Sequence, residues 1–292
     1  MTAGYILLNK DPGQSSFEAL GPVKKALATG KVCHTGTLDK FARGLLVVLA
    51  GRGVKLASWF SRCDKRYLAR IKFGEETTTL DPEGTVIARA PVPQGRALEE
   101  ILPRFTGALL QSPPPYSAVH VNGERAYKLA RAGVQVEMKP RPVTVYSLRL
   151  LSWDPPLGEL EVHCSKGTYI RSLARDMALA LSSRAHLTAL TRTGVGNFSL
   201  EGAVPSGADP DSIRAALAPL DPRLFTALDI PSLSVDGETA RELSQGKPLQ
   251  SLRGLNFPPD TDALALFGPR SFSALIEKKE QGWQYGYVNV QD

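Results

Sequence analysis

One carboxylate stands where chemistry is plausible on residue types alone. Asp39 closes the run His34-Thr35-Gly36-Thr37-Leu38-Asp39, which continues through Ala42, Gly44 and Leu45. Glycines bracket it and the neighbourhood is basic. An ionised carboxylate held in such a loop can serve as nucleophile or as general base. A loop aspartate taken by itself is a turn former or a helix cap, so the weight rests on the length and spacing of the run. Cys33 beside His34 has the types of a metal-ligand pair. The other cysteines, Cys63 and Cys164, supply no second pair at zinc spacing and no disulfide framework, so no metal is expected. Three scattered cysteines fit a reducing compartment.

These side chains need elements to hold them. Gly4 to Lys10 reads as a short buried strand, broken by Pro12, Gly13 and Gln14. Ser15 or Ser16 then caps a helix to about Ala28, with Leu20, Val23 and Leu27 at helical spacing and Gly30 at its end. Gly44 to Ala50 is an apolar strand, and Tyr67 to Phe73 alternates as a half-buried one. Helices are expected near Leu98 to Pro103, over Glu124 to Ala132 and over Ser172 to Ser182. Ser112 to Pro115 is a rigid extended stretch. Strands are expected over Val143 to Trp153, Glu159 to Cys164 and Arg184 to Arg192. There is no regular βαβ rhythm, so the class is α+β. Residues 203–222 read as a connector with a short helix. Beyond Asp229 a helix near Asp236 to Gln245 and strands over Ala263 to Gly268, Phe272 to Lys279 and Trp283 to Val290 form a small β-rich module.

A chain of 292 residues suits one large domain and a small one. No stretch approaches the roughly 20 apolar residues of a membrane span, and no basic-then-apolar leader opens the chain, so a cytoplasmic protein is expected. Residues 1–72 carry 13 Lys and Arg against 4 Asp and Glu, whereas residues 225–292 carry 6 against 9. A positive field concentrated in the first quarter suits a polyanion such as RNA.

The run at residues 34–45 resembles the HTGTLD-xx-A-x-GxL signature of TruB-type pseudouridine synthases, with Lys40, Phe41 and Arg43 where the family often has Pro, Leu and Thr. Other matches follow in the family's order. Lys10 to Ser16 resembles its K-P-x-G-x-T-S motif with the proline displaced to Pro12. Asp64-Lys65-Arg66-Tyr67 resembles DKxY, and Gln111 to Ala118 resembles QxPPxYSA. Ser165 to Leu173 resembles S-x-GTYIRSL. Ala185-His186-Leu187 and Leu190 to Thr193 resemble AHL…LRR-T, with Thr191 in place of the first arginine. The likeness spans roughly residues 4–205 and loosens into a PUA-like module.

That resemblance implies a mixed, mainly antiparallel-sheet catalytic domain over residues 1–224, a thumb-like basic insertion at 111–151, and a PUA-like domain over 225–292. It implies conversion of a uridine in the tRNA T-arm to pseudouridine, without cofactor, by a monomer that needs no protein partner. Asp39 would be the essential carboxylate, attacking the sugar or the ring or abstracting a sugar proton. Arg171 would orient it as a bidentate partner and lower its pKa. Tyr67 would stack on the base, His34 would fill the space that the flipped base leaves, Leu190 would wall the uracil, and Tyr169 and Lys10 would also contact substrate. If residues 169–171 are extended, Tyr169 and Arg171 face the same side. An RNA-guided, dyskerin-like synthase is the alternative, disfavoured by the lack of a long basic extension; an RNA-folding factor without catalysis is a second. The net-acidic C-terminal module, where Lys247 and Arg253 are candidate phosphate contacts, is expected to have a weak or geometric role.

Overall fold

The computed structural model describes residues 3–121, 123–252, 255, 257–258 and 260–289; Arg253 and Val290 lie outside them. A large mixed sheet runs through the first 219 residues in the spatial order Val204–Pro205, Gly4–Lys10, Arg43–Ala50, Ala185–Val195, Lys65–Phe73, Leu157–Cys164, Arg141–Asp154, Gly107–Gln111. Most neighbours are antiparallel. Two pairings are parallel: Gly4–Lys10 with Val204–Pro205, and Arg43–Ala50 with Ala185–Val195. The expected α+β class with a mainly antiparallel sheet is what the chain forms.

The apolar run Gly44 to Ala50 is continuous because this strand is covered on both faces. Leu45, Val47 and Leu49 point into one cluster with Phe60, Phe198 and Phe225, while Leu46, Val48 and Ala50 point into another with Ile6, Leu8 and Val23. The strand Lys65–Phe73 alternates instead. Tyr67, Ala69, Ile71 and Phe73 enter a third cluster with Leu160, Leu173 and Leu187, while Arg66 and Arg70 face solvent.

The first helix is shorter than expected, Leu20–Ala26. Ser15 and Glu18 form a reciprocal capping pair, Glu18 N to Ser15 Oγ at 3.2 Å and Ser15 N to Glu18 Oε2 at 2.6 Å. Ser16 is turned inward to the loop before Asp39, so residues 15–19 make turns rather than helix. The segment between Gln111 and Arg141 leaves the sheet as the hairpin His120–Val121 with Glu124–Arg125 and the helix Ala126–Arg131. Residues 141–151, expected in the insertion, belong to the sheet strand Arg141–Asp154.

The connector is stitched to the large sheet: Leu8 pairs with Val204 and Gly4 with Pro219. The C-terminal module is a four-stranded sheet, Ser232–Ser234, Ala263–Phe267, Phe272–Lys279 and Gly282–Val288, with the helix Gly237–Ser244 started by the Asp236 side chain on Thr239 N at 2.7 Å. The expected boundary at residue 224 falls inside the helix Pro222–Ala227, whose Leu224 and Phe225 share one core with Phe60 of the large domain and with Phe267 and Phe272 of the small one. Among the described residues no helix is long and apolar enough to cross a membrane.

Candidate active site

Asp39 lies in the loop between the strands Val32–His34 and Arg43–Ala50. Backbone contacts fix this loop on several sides. Ser16 Oγ, almost fully buried, accepts from Leu38 N at 2.8 Å and donates to Leu38 O at 3.0 Å. Gly13 N donates to Lys40 O at 2.8 Å. Lys10 was expected to touch substrate. It is instead fully buried, with its ammonium donating to Asp11 O at 2.9 Å, Gln14 O at 2.8 Å and Lys40 O at 3.4 Å. Burial lowers its pKa from 10.5 to about 8, against the pull of Asp39. Lys10 ties the turn after the first strand to the Asp39 loop.

Arg171 faces Asp39. Its Nη2 donates to Oδ1 at 3.0 Å and its Nε lies 2.9 Å from Oδ2, although the Nε–H is not aimed at that oxygen; the second contact is coulombic rather than a second hydrogen bond. Nη1 is 3.3 Å from Asp81 Oδ2 and donates to Thr79 O at 2.9 Å, and Nη2 also reaches Tyr116 O at 3.0 Å. Side-chain exposure is 5% for Arg171 and 34% for Asp39, so the carboxylate opens outward from a buried cation.

The expected lowering of the Asp39 pKa is only part of the balance. Burial raises it, Arg171 lowers it, Asp81 raises it and Lys10 lowers it, and the net direction is upward from 3.8. The guanidinium is shared between two carboxylates, so neither has its whole charge.

Arg171 sits in the first turn of the helix Ile170–Ala180, where a cation opposes the helix dipole. Its acceptors compensate. One of them, Tyr116 O, comes from the run Gln111 to Ala118, which also holds the residues on either side of Arg171. Ser112 O takes the Ser172 hydroxyl at 2.8 Å, and the Gln111 amide pairs with Tyr169 N at 2.8 Å and Tyr169 O at 3.2 Å. Residues 169–171 are therefore a helix start and not an extended stretch. Tyr169 and Arg171 still share a neighbourhood, because Arg171 and Asp39 both act on the Tyr169 hydroxyl, whose pKa burial raises.

Tyr67 and Leu190 are buried in one cluster with Leu38, the residue before Asp39. Burial raises the Tyr67 pKa, with Arg192 opposing. His34 is half-buried. Its Nδ1 is enclosed without a hydrogen-bond partner among the described residues, and burial, then Arg192, lowers its pKa. Both effects favour the neutral ring.

Asp81 is the residue that sequence reasoning missed. It lies in the hairpin of Glu75–Thr77 and Val86–Arg89. Leu80, at φ +63°, occupies the left-handed region, an uncommon and strained setting for a residue with a Cβ. On either side of it, the Thr79 carbonyl and the Asp81 carboxylate reach Arg171. The sequence signal is the run Thr77 to Gly84 (TTTLDPEG), which reads merely as a turn.

A buried arginine thus presents a partly open carboxylate, in a loop whose Leu38 packs with Tyr67 and Leu190. The chain matches the model of the TruB family pseudouridylate synthase N-terminal domain over residues 24–170. It is 48% identical over 204 residues to tRNA pseudouridine synthase B of Borreliella burgdorferi (strain ZS7), covering 69% of this chain and 72% of that protein. It is 45% identical over 233 residues to the protein of that name from Bordetella avium (strain 197N), covering 77% and 96%. In fold it is similar to the solved structure described as a Cbf5-Nop10-Gar1 complex, with a TM-score of 0.69, 22% identity, and 99% and 84% of the two chains covered. The chain belongs to the TruB family of pseudouridine synthases.

Proposed function

We propose that this chain converts a uridine of the tRNA T-arm to pseudouridine, with Asp39 as its essential carboxylate. The observation that carries the reading is the Asp39–Arg171 contact at 3.0 Å, in a carboxylate only a third exposed whose chain neighbour Leu38 shares a core with Tyr67 and Leu190. The names of the relatives support tRNA as the substrate.

The reaction breaks the glycosidic bond, turns the uracil and joins its carbon 5 to the anomeric carbon; the hydrogen on carbon 5 leaves and a proton is gained at nitrogen. No electrons are exchanged. The uridine must first leave its stack, which costs a few kcal/mol that protein contacts offset. His34, whose Nδ1 has no hydrogen-bond partner among the described residues, takes the vacated space. Tyr67 stacks on the base, worth about 1–3 kcal/mol, and Leu190 closes its apolar side. Tyr169 lines the entrance. Asp39 attacks the anomeric carbon or the ring, or removes a sugar proton; each needs the ionised form that Arg171 orients. Lys10 acts through the loop, not on the RNA.

Residues up to about 229 form the catalytic domain, with the PUA-like module after them. The thumb is the segment 112–140, whose Arg125, Lys128, Arg131 and Lys139 outnumber Glu124 and Glu137. It closes on the RNA arm. The protein acts as a monomer in the cytoplasm.

The test is tritium release from tRNA transcripts labelled at carbon 5 of uracil, comparing a normal transcript with one whose T-loop uridine is replaced by cytidine. Release that disappears with that single uridine supports the assignment. Release that persists in full moves the target elsewhere, and tRNA binding without release points to a folding factor.

A further inference from the structure

The two halves of the large sheet meet at a very short parallel pairing, Thr191 opposite Arg43 and Arg192 opposite Gly44. On its other edge Arg192 is paired with Tyr67. The approach at this seam is close. A Cβ on Gly44 would fall 2.4 Å from the Arg192 carbonyl oxygen, and Gly44 has φ of +112°, so only glycine fits.

Arg192 is 2% exposed, and its side chain turns back over the neighbouring strand. Nε donates to Leu45 O at 2.7 Å, Nη1 to Thr37 O at 3.2 Å and Nη2 to Gly36 O at 3.1 Å. Hydrogen bonds from a charged donor are the strong ones. A buried guanidinium spent on three backbone carbonyls, with no ion pair to a carboxylate among the described residues, is expensive to place and points to a geometric purpose. The three carbonyls bracket the Asp39 loop: Gly36 and Thr37 lie shortly before Asp39, and Leu45 lies in the strand that follows the loop. Where the backbone ladder of the seam ends, the Arg192 side chain continues it.

We propose that Arg192 is a positioning residue for the isomerisation, fixing the Asp39 loop against the strand that carries Tyr67. The inference rests on Asp39 being the essential carboxylate. Arg192 holds both sides of the site at once: its side chain grips Gly36 and Thr37, and its backbone is paired with Tyr67. Its charge also reaches His34 and Tyr67, adding to the burial that lowers the His34 pKa and opposing the burial that raises that of Tyr67. A phosphate-binding arginine would have to present its guanidinium to solvent, and this one does not.

The experiment compares Arg192→Gln and Arg192→Lys with the parent enzyme and with Asp39→Asn. It reads the single-turnover rate of tritium release, the Kd for tRNA, and amide hydrogen exchange over residues 34–42. Displacing a catalytic group by about 1 Å costs on the order of 100-fold in rate, so a loss of about that size is expected for Gln with Kd unchanged. Lys restores part of the rate, and amides at 36–42 exchange faster in both variants. Arg192→Lys decides alone if the Gln variant does not fold. Parent-like rates in the Lys variant, or a loss confined to Kd, would overturn the inference. Activity in Asp39→Asn would remove the reading beneath it, and is a separate failure.

Discussion

Asp81 Oδ2 lies 3.3 Å from Nη1 of Arg171, the guanidinium nitrogen that makes no contact with Asp39. One buried cation thus serves two carboxylates. The arrangement holds Arg171 by its back while its other edge faces Asp39; burial first, and Asp81 after it, outweigh Arg171 and leave the Asp39 pKa above its ordinary value.

Asp81→Ala leaves Arg171 with a single carboxylate partner in a buried setting. Breaking a buried pair by removing one member costs about 3–5 kcal/mol, and urea unfolding should read a loss of that order. Asp81→Asn keeps the shape and loses the charge. Its single-turnover rate is expected to fall by about 10–100-fold through misorientation, with tRNA affinity unchanged. A parent-like rate in Asp81→Asn would show that Thr79 O and Tyr116 O suffice to hold the arginine.

Asp39 costs stability in its ionised state. Its folded pKa lies above the ordinary 3.8, mainly through burial, so its contribution is fully present below that value and is lost as pH rises through the folded pKa. At pH 7 the folded protein therefore holds a charge it disfavours. Asp39→Asn should melt higher than the parent at pH 7, and the difference should shrink as pH falls toward 3.8. The gain is small because a third of the side chain is open to solvent. A lower Tm at pH 7 would mean that the pair with Arg171 outweighs desolvation.

The C-terminal module is a structural partner of the catalytic domain. Phe225 is fully buried between the two, with ring centroids 5.7 Å from Phe267 and 4.7 Å from Phe272. Phe225→Ala is expected to cost about 3–5 kcal/mol in denaturant unfolding. Removing residues 229–292 would uncover the same cluster, so a truncated enzyme that lost tRNA binding would not by itself assign RNA contact to the module; the point variant, folded at low temperature, separates the two effects.

Local patterns carried the strands well. Gly4 to Lys10 is a strand over the expected residues, and the apolar run before Ala50 could be read as buried because both its faces are covered. Long-range competition was not legible. Ser16 abandons helix capping because Leu38 offers its buried hydroxyl two backbone partners. The expected helix from Ser172 in fact starts at Ile170, taking in Arg171, where Gln111, far away in the chain, accepts from Tyr169 N. Asp39 was visible because its run is contiguous. Asp81 was not, because nothing local distinguishes its turn from any other; only the fold brings it to Arg171.

The most direct test of the account is single-turnover tritium release from tRNA by the parent enzyme and by Asp39→Asn, with tRNA binding measured on both. The account predicts about one equivalent released per tRNA by the parent and none by the variant, at equal affinity. Release by Asp39→Asn at a rate near that of the parent would contradict it.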